Sequence, residues 1–498
     1  MAVAVPLSFA AKCDQTISRT GFGLYNYFAL GMSCACAFSQ STALSSLPFA
    51  IPLTICDDYA LAPPYTVQGV DFSLYLGMAF GGSVLSSISD IVGRKSLIPI
   101  TLIIIFGSTL ACGFAHHFQT IFVCVFILGC GLQANANTVK IHLAEILPNK
   151  RRGTLLTFQD LFWSVGYVAG TLVAWLLTPA IVDHQKDAIR WATWRMIFGL
   201  SGMCSIIVSC ASALLFPSPR YSILGRQFSE AADTLTRIYA INNSKHWETF
   251  SIGLDDLRGC IDEFDLHKHP EPISYSNRIA VSLRKIAIII SELFHQRFLK
   301  VTLLLIASKF VVIFDLLTVN VWLTQTVTNN STDCTFVMTS LHGDNYGCKD
   351  APDSHYGNLF ALSVNVFIGQ LILMALVERV GRRVVLVCGC ATCGILSYIP
   401  TFIHNTYTAR FVTSSSFLVG YSITDSALNI IIIESYPTAF RGTAYGCVQF
   451  FARFVGGILK MFLILPCEYS FILMGSLMLA GAVICYFLPE YRGKPMEE

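Results

Sequence analysis

Charge is scarce in this sequence. Asp, Glu, Lys and Arg make up 13% of its 498 residues, and 33 basic against 31 acidic side chains leave a formal net charge of +2. A chain so balanced, with no long basic run, lacks the electrostatic footprint of a partner for nucleic acid or an acidic protein. It also lacks a Walker lysine loop, an HExxH pair, a Cys/His set at zinc spacing and a nucleophile elbow, which argues against an ATP-driven pump, a membrane enzyme or a bound cofactor or metal. The apolar N-terminal stretch has no basic leader and runs into Lys12, Asp14 and Arg19, so it is expected to be retained.

What is abundant is oil. Hydrophobic residues are 54% of the chain and 36 of them are Phe, too much for a single water-soluble core of this length. Apolar stretches near 22–46, 68–88, 97–115, 120–143, 154–177 and 195–216 are each long enough to cross hydrocarbon as helices. Six more follow, near 299–324, 356–377, 384–403, 409–433, 443–465 and 470–488. The expected fold is an all-α polytopic membrane protein with twelve transmembrane helices in two six-helix bundles, residues 1–216 and 299–498. Residues 217–298 form a polar linker with short amphipathic helices, including the patches Glu230–Arg237 and Leu254–Phe264. Of the 18 cysteines, those inside apolar runs, such as Cys34, Cys36, Cys124, Cys204, Cys388 and Cys485, are expected to be packing residues.

Basic residues fall in alternate loops: Arg94 and Lys95, then Lys150 to Arg152, the linker, Arg379 with Arg382 and Arg383, Arg441, and Arg492. The positive-inside rule places these loops and both termini in the cytoplasm, in a plasma or vesicle membrane. The opposite side then holds Asn329-Asn-Ser-Thr-Asp-Cys334, with two overlapping glycosylation acceptors at Asn329 and Asn330. Cys334 and Cys348 share that loop, where an oxidising compartment favours a local disulfide over a free pair. A third acceptor, Asn242, lies inside and is expected to be silent.

Two blocks recur in order. Asp90-Ile-Val-Gly93-Arg94-Lys95 reappears as Glu378-Arg-Val-Gly381-Arg382-Arg383, and Glu145-Ile-Leu-Pro-Asn-Lys-Arg-Arg152-Gly153 as Glu434-Ser-Tyr-Pro-Thr-Ala-Phe-Arg441-Gly442, at the same offset to within one residue. An acid at a helix end, a glycine for a tight turn and a basic pair can make charge-assisted contacts between helices and loops and so latch one conformation. Loops serving only as topogenic positive charge would need neither the acid nor the glycine. Two repeats joined by a linker suit halves that rock about a central site.

With these doubled elements, and with Trp194-Arg195, Ser218-Pro-Arg220 and Pro489-Glu490-Tyr-Arg-Gly493, the chain resembles the major facilitator superfamily over nearly its whole length. Within it, Gly21-Phe-Gly-Leu-Tyr-Asn-Tyr27, Ala144-Glu-Ile-Leu-Pro148, Phe162-Trp-Ser-Val-Gly166 and Ala452-Arg453 resemble the synaptic vesicle glycoprotein 2 family and its vesicle-associated relatives, with the organic cation and anion transporters next. Ser86 stands where the loop signature usually starts with Gly, Pro217 replaces a usual Glu, and Ser39 and Ser41 stand where these relatives often carry an acid. The resemblance implies a secondary transporter of a small organic solute. It also allows a membrane regulator or receptor that does not transport.

Ionisable side chains inside spanning helices are costly and so mark candidate sites. They are Lys140 and Asp160 in the fourth and fifth helices, Lys309 and Asp315 in the seventh, Asp425 in the tenth, and Arg453 and Lys460 on one face of the eleventh. The resemblance implies that Arg453 meets an anionic or electron-rich group of the solute; pairing with Asp425 is the structural alternative. It likewise makes Asp160 a candidate for carrying a coupling proton, or for neutralising Lys140, with Lys309 and Asp315 as further relay candidates. Trp163 is either an aromatic wall for the solute or a packing residue. Asn429, one turn from Asp425, orients the solute or joins helices. The expected partners are therefore a small-molecule solute, a proton and the lipid bilayer.

Overall fold

In hydrocarbon a backbone can satisfy its own hydrogen bonds only as helices or a closed barrel, and every element in the computed structural model is a helix among the residues it describes. These are residues 15–57, 66–147, 152–182, 193–244, 278–328, 353–402, 407–462 and 467–490. Asn329, Asn330, Cys334, Cys348 and the patch at 254–264 lie outside the described residues, as does the side chain of Lys460.

The N-terminal half comprises α1 (Leu24–Ser45), α2 (Leu47–Asp57), α3 (Thr66–Val92), α4 (Arg94–Gly113), α5 (Phe118–Ile146), α6 (Arg152–Val182) and α7 (Thr193–Ser212). Three shorter helices follow, α8 (Pro219–Leu224), α9 (Phe228–Asn243) and α10 (Arg278–Leu293). The C-terminal half comprises α11 (Gln296–Thr328), α12 (Asp353–Leu376), α13 (Arg382–Phe402), α14 (Tyr407–Glu434), α15 (Arg441–Phe462) and α16 (Cys467–Tyr486). The first span does not stop near residue 46 as expected. Ser46 keeps helical dihedrals and the chain continues as α2, because Pro48 falls in the first turn of α2, where a missing N–H costs nothing.

Ten of these helices are long and apolar enough to cross a membrane. The other two spans have a readable reason for falling short: α1 carries four serines with Asn26, Gln40 and Thr42, and α15 carries Arg441, Arg453 and Lys460. Together they make the twelve-helix fold of a multi-pass membrane protein. Leu24, Ile103, Ile207 and Val483 stand more than half exposed or close to it on its flanks, as faces toward lipid tails require.

The sequence repeat is a packing repeat. In the first half α3 packs on α5, α1 on α6 and α4 on α7; in the second, α12 packs on α14, α11 on α15 and α13 on α16. The halves meet through α3 with α15 and through α6 with α12, again equivalent pairs. Ile98, Leu102, Val125 and Leu128 fill the first core, and Leu386, Ile431 and Met478 the second. Among the described residues most cysteines are buried packing residues, but Cys388 is exposed and Cys204 partly so. A small apolar side chain suits a lipid-facing position as well as a core, so an apolar run does not distinguish the two.

The linker is tied to the first helix by Asn242. Its Oδ1 accepts from the N–H of Tyr25 (3.0 Å), and its Nδ2 donates to Gly21 O (3.1 Å) and Asn26 Oδ1 (2.9 Å).

Candidate functional site

The repeated blocks, expected to act as a latch, make ion pairs and hydrogen bonds between the halves. Between α3 and α4 only Gly93 makes the turn, with φ +99° and ψ 145°, and Gly381 turns before α13 with φ +105°. Residues with a side chain enter this region only under strain. The turn aims Arg94, 1% exposed, at Asp90 (3.0 Å) and Glu145 (3.2 Å), while a further N–H donates to Thr438 O of the other half (2.8 Å). Arg441 approaches Glu145 from that half at 3.6 Å.

Asp90 crosses the divide. It accepts from the N–H of Gly442 (3.2 Å) and of Thr443 (2.7 Å), and from the Thr443 hydroxyl (3.0 Å). Those N–H groups are unpaired donors in the first turn of α15, where an acid is also favoured by the helix dipole. The second copy does the same in reverse. Glu378 accepts from Thr154 N–H in the first turn of α6 (3.2 Å), and Arg382 lies between Glu378 (3.7 Å) and Glu434 (3.3 Å). Arg152, buried, is within electrostatic reach of Glu434 and donates to Leu147 O (3.3 Å). Behind the first copy, the Tyr221 hydroxyl donates to Ile91 O (2.7 Å) and its ring faces the Arg94 guanidinium at 4.8 Å.

Inside the bundles lies a polar network. Lys140 of α5 pairs with Asp160 of α6, and Lys309 of α11 with Asp425 of α14, each at 2.5 Å. Lys309 also donates to Asn429 Oδ1 (2.7 Å), and Asn429 Nδ2 donates to Asp425 (3.0 Å). Ser426 of the C-terminal half lies beside Asp160 of the other half and accepts from Gln370 Nε2 at 2.8 Å. Buried ion pairs of this kind owe their stability to complete hydrogen bonding around both charges.

Arg453 stands apart from the pairs. Its Nε donates to Gln449 Oε1 (3.3 Å) and one terminal nitrogen meets Met78 Sδ of the other half (3.1 Å). Asp425 has Lys309 as its ion-pair partner instead. The guanidinium has five N–H donors in a fork suited to a carboxylate, and here it faces a carboxamide and a thioether. Tyr421 and Tyr445 border the same space, near Asp425 and Gln449.

The other expected residues divide. Trp163 is half-buried and stacks on Tyr167 at 5.5 Å. Asp315 is not in the network; it is fully buried in the C-terminal bundle. An apolar recess of about 500 Å³ between α1, α6 and α7 is lined among others by Tyr27, Cys34, Phe38, Phe162 and Ile207, and its Cys34 is within electrostatic reach of Asp160. Sequence reasoning missed Met78, Gln370, Ser426 and Gln449. The only signal for them was spacing: Gln449 precedes Arg453 by one helical turn, and Ser426 follows Asp425.

Two six-helix repeats that meet through doubled charged blocks, with ion pairs buried between their helices, define the class of a multi-pass membrane transporter. The sequence profile of the Major Facilitator Superfamily matches residues 33–342 and 350–497, and the chain belongs to that family. It is 23% identical to the organic cation/carnitine transporter 7 of Arabidopsis thaliana over 97% of this chain and 95% of the relative. It is 24% identical to the synaptic vesicle 2-related protein of Xenopus laevis over 99% and 85%. Among solved structures, the proton:xylose symporter XylE superposes with a TM-score of 0.69 at 15% identity, covering 95% of this chain and 98% of that one. The fucose:proton symporter FucP of E. coli superposes at 0.55 and 12%, covering 93% and 99%.

Proposed function

We propose that this protein carries a small organic anion across its membrane by alternating access, with residues 1–216 rocking against 299–498 and 217–298 as the cytoplasmic linker. One observation carries the anionic assignment: in the central network, Arg453 is the described cation with no carboxylate at ion-pair distance, since Asp425, within its electrostatic reach, is held by Lys309. Lys140 and Lys309 are each neutralised by an aspartate. A solute carboxylate entering beside Arg453 would complete the pattern that the protein completes for itself elsewhere. Asn429 and Asp425 position the polar part of the solute, Lys460 extends the basic face of α15, and Trp163 supplies an aromatic wall. Asp160 takes the coupling proton, which would release Lys140 and loosen the contact with Ser426.

The latch side faces the cytoplasm in this reading, because its loops hold the clustered Arg and Lys. The opposite loop then bears glycans at Asn329 or Asn330 and the Cys334–Cys348 disulfide. The membrane is that of the cell surface or of a vesicle; the relatives' names fit a transporter in either.

The test is flux in liposomes. Purified protein is reconstituted and challenged with a panel of organic anions, cations and zwitterions, with Arg453→Ala and Asp160→Asn as controls. Solute-dependent uptake of an anion, lost in Arg453→Ala, is the expected result. Folded protein that is silent across the panel would sink the reading in favour of a regulator, and uptake of cations alone would sink the anionic assignment.

A further inference from the structure

The carboxylates of Asp90, Glu145, Asp160, Glu378, Asp425 and Glu434 each face a described cation. Asp315 does not. It sits six residues beyond Lys309 on α11, well round the helix at 100° per residue. Lys309 thus meets the central network while Asp315 turns into the C-terminal bundle, with 0% exposure. Neither of its oxygens has a hydrogen-bond partner among the described residues.

Its titratable neighbours are thiols. Cys390 and Cys393 of α13 are within electrostatic reach, and the Cys393 thiol points to Phe417 O of α14 at 3.8 Å. From α16, Cys485 is hydrogen-bonded to Cys390 and donates to Ser308 Oγ of α11 at 3.5 Å. On its other face α11 meets α15 through Ile313 and Leu317, packed on Ala452. A bare carboxylate here would hold its charge buried and with no counter-ion among the described residues, among the most costly arrangements a membrane interior allows. A carboxylic acid is neutral and far better tolerated. Cys390, Cys485 and Ser308 form a series of exchangeable S–H and O–H groups that begins within electrostatic reach of Asp315 and ends where the Ser308 hydroxyl donates to Leu304 O (2.8 Å), one turn nearer the N-terminus of α11.

We propose that Asp315 is a proton-binding site of the C-terminal bundle, separate from the solute site: it holds a proton in this conformation and exchanges it along the thiol and hydroxyl file when α11 moves. The carboxylic acid gives up its proton to water on the latch side and becomes a carboxylate, and the return step reverses this. The site does not depend on the transport reading; that its proton travels with a solute does.

Infrared difference spectroscopy in lipid bilayers tests it without any solute, comparing wild type with Asp315→Asn, a variant that keeps the shape and neutrality of the acid. A carboxylic-acid carbonyl band present in wild type and absent from the variant is expected at neutral pH. That band should move on transfer to D2O, severalfold faster in the latch variant Asp90→Asn. Loss of a carboxylate band instead would show that Asp315 is ionised and overturn the proposal. An acid band that does not respond to D2O, or that responds equally fast with the latch weakened, would equally overturn it as an exchangeable site coupled to motion. A silent flux assay leaves this readout intact.

Discussion

The carboxylate of Asp90 accepts a 2.7 Å hydrogen bond from the backbone N–H of Thr443, 353 residues further along the chain. An acid at the end of one half thereby closes the first turn of a helix in the other half, and Glu378 does the same for Thr154 at 3.2 Å. The latch is an exchange of helix caps braced by buried arginines, a stronger device than the exposed ion pairs that loop charge alone would make.

Asp90→Asn keeps an acceptor oxygen but removes the charge facing both Arg94 and the start of α15. The expected cost to the latched state is about 1 kcal/mol, roughly a fivefold shift toward the unlatched one. Distance distributions between spin labels at the exposed positions 92 and 380 would report it. A distribution identical to that of the parent would rule out a latch role for Asp90.

Gly93→Ala and Gly381→Ala force a side chain into a backbone region that only glycine occupies comfortably. Each should lower stability by about 1–3 kcal/mol, read as a lower midpoint in thermal unfolding. Unchanged midpoints would mean that the turns rearrange freely.

Lys309→Met leaves Asp425 without its cation inside the bundle, and a loss of about 3–5 kcal/mol is expected. Combining it with Asp425→Asn should recover much of that loss, because the orphaned charge is gone. A double-mutant cycle in thermal unfolding measures the coupling; simple additivity would contradict the pair.

Arg453→Lys keeps the charge and loses the planar fork. Missing one charge-assisted hydrogen bond, ~1.5–3 kcal/mol, the variant should need about tenfold or more solute for half-maximal uptake, while Arg453→Ala is expected to be inactive. Equal performance by Lys would mean that Arg453 acts as a point charge and not as a bidentate donor.

Much of this was legible from residues alone, for reasons that also explain the gaps. Gly93 and Gly381 stood out because a repeated glycine between two helices has few uses besides a turn. The Lys140–Asp160 pair was one of two readings available, and the structure realises it. The alternative pairing of Arg453 with Asp425 failed because sequence order does not say which helices are neighbours; Lys309, 116 residues before Asp425, holds the nearer place. Gln449 and Ser426 were invisible because neutral amides and hydroxyls in an apolar run look alike whether they bind, bridge or merely bond their own helix. The capping role of Asp90 was hidden for a different reason, since the donors it caps across the divide are the main-chain N–H groups of Gly442 and Thr443.

That last point reaches beyond stability. A donor supplied by the main chain is present whatever amino acid other than proline occupies the position. The contact therefore constrains its two sides unequally: substitutions at 443 and 154 leave the N–H in place, at 443 with loss of the hydroxyl's bond to Asp90, whereas positions 90 and 378 need a side-chain acceptor and are served best by an acid. A survey of all single substitutions should find the acids intolerant and their distant partners permissive, with proline as the shared exception.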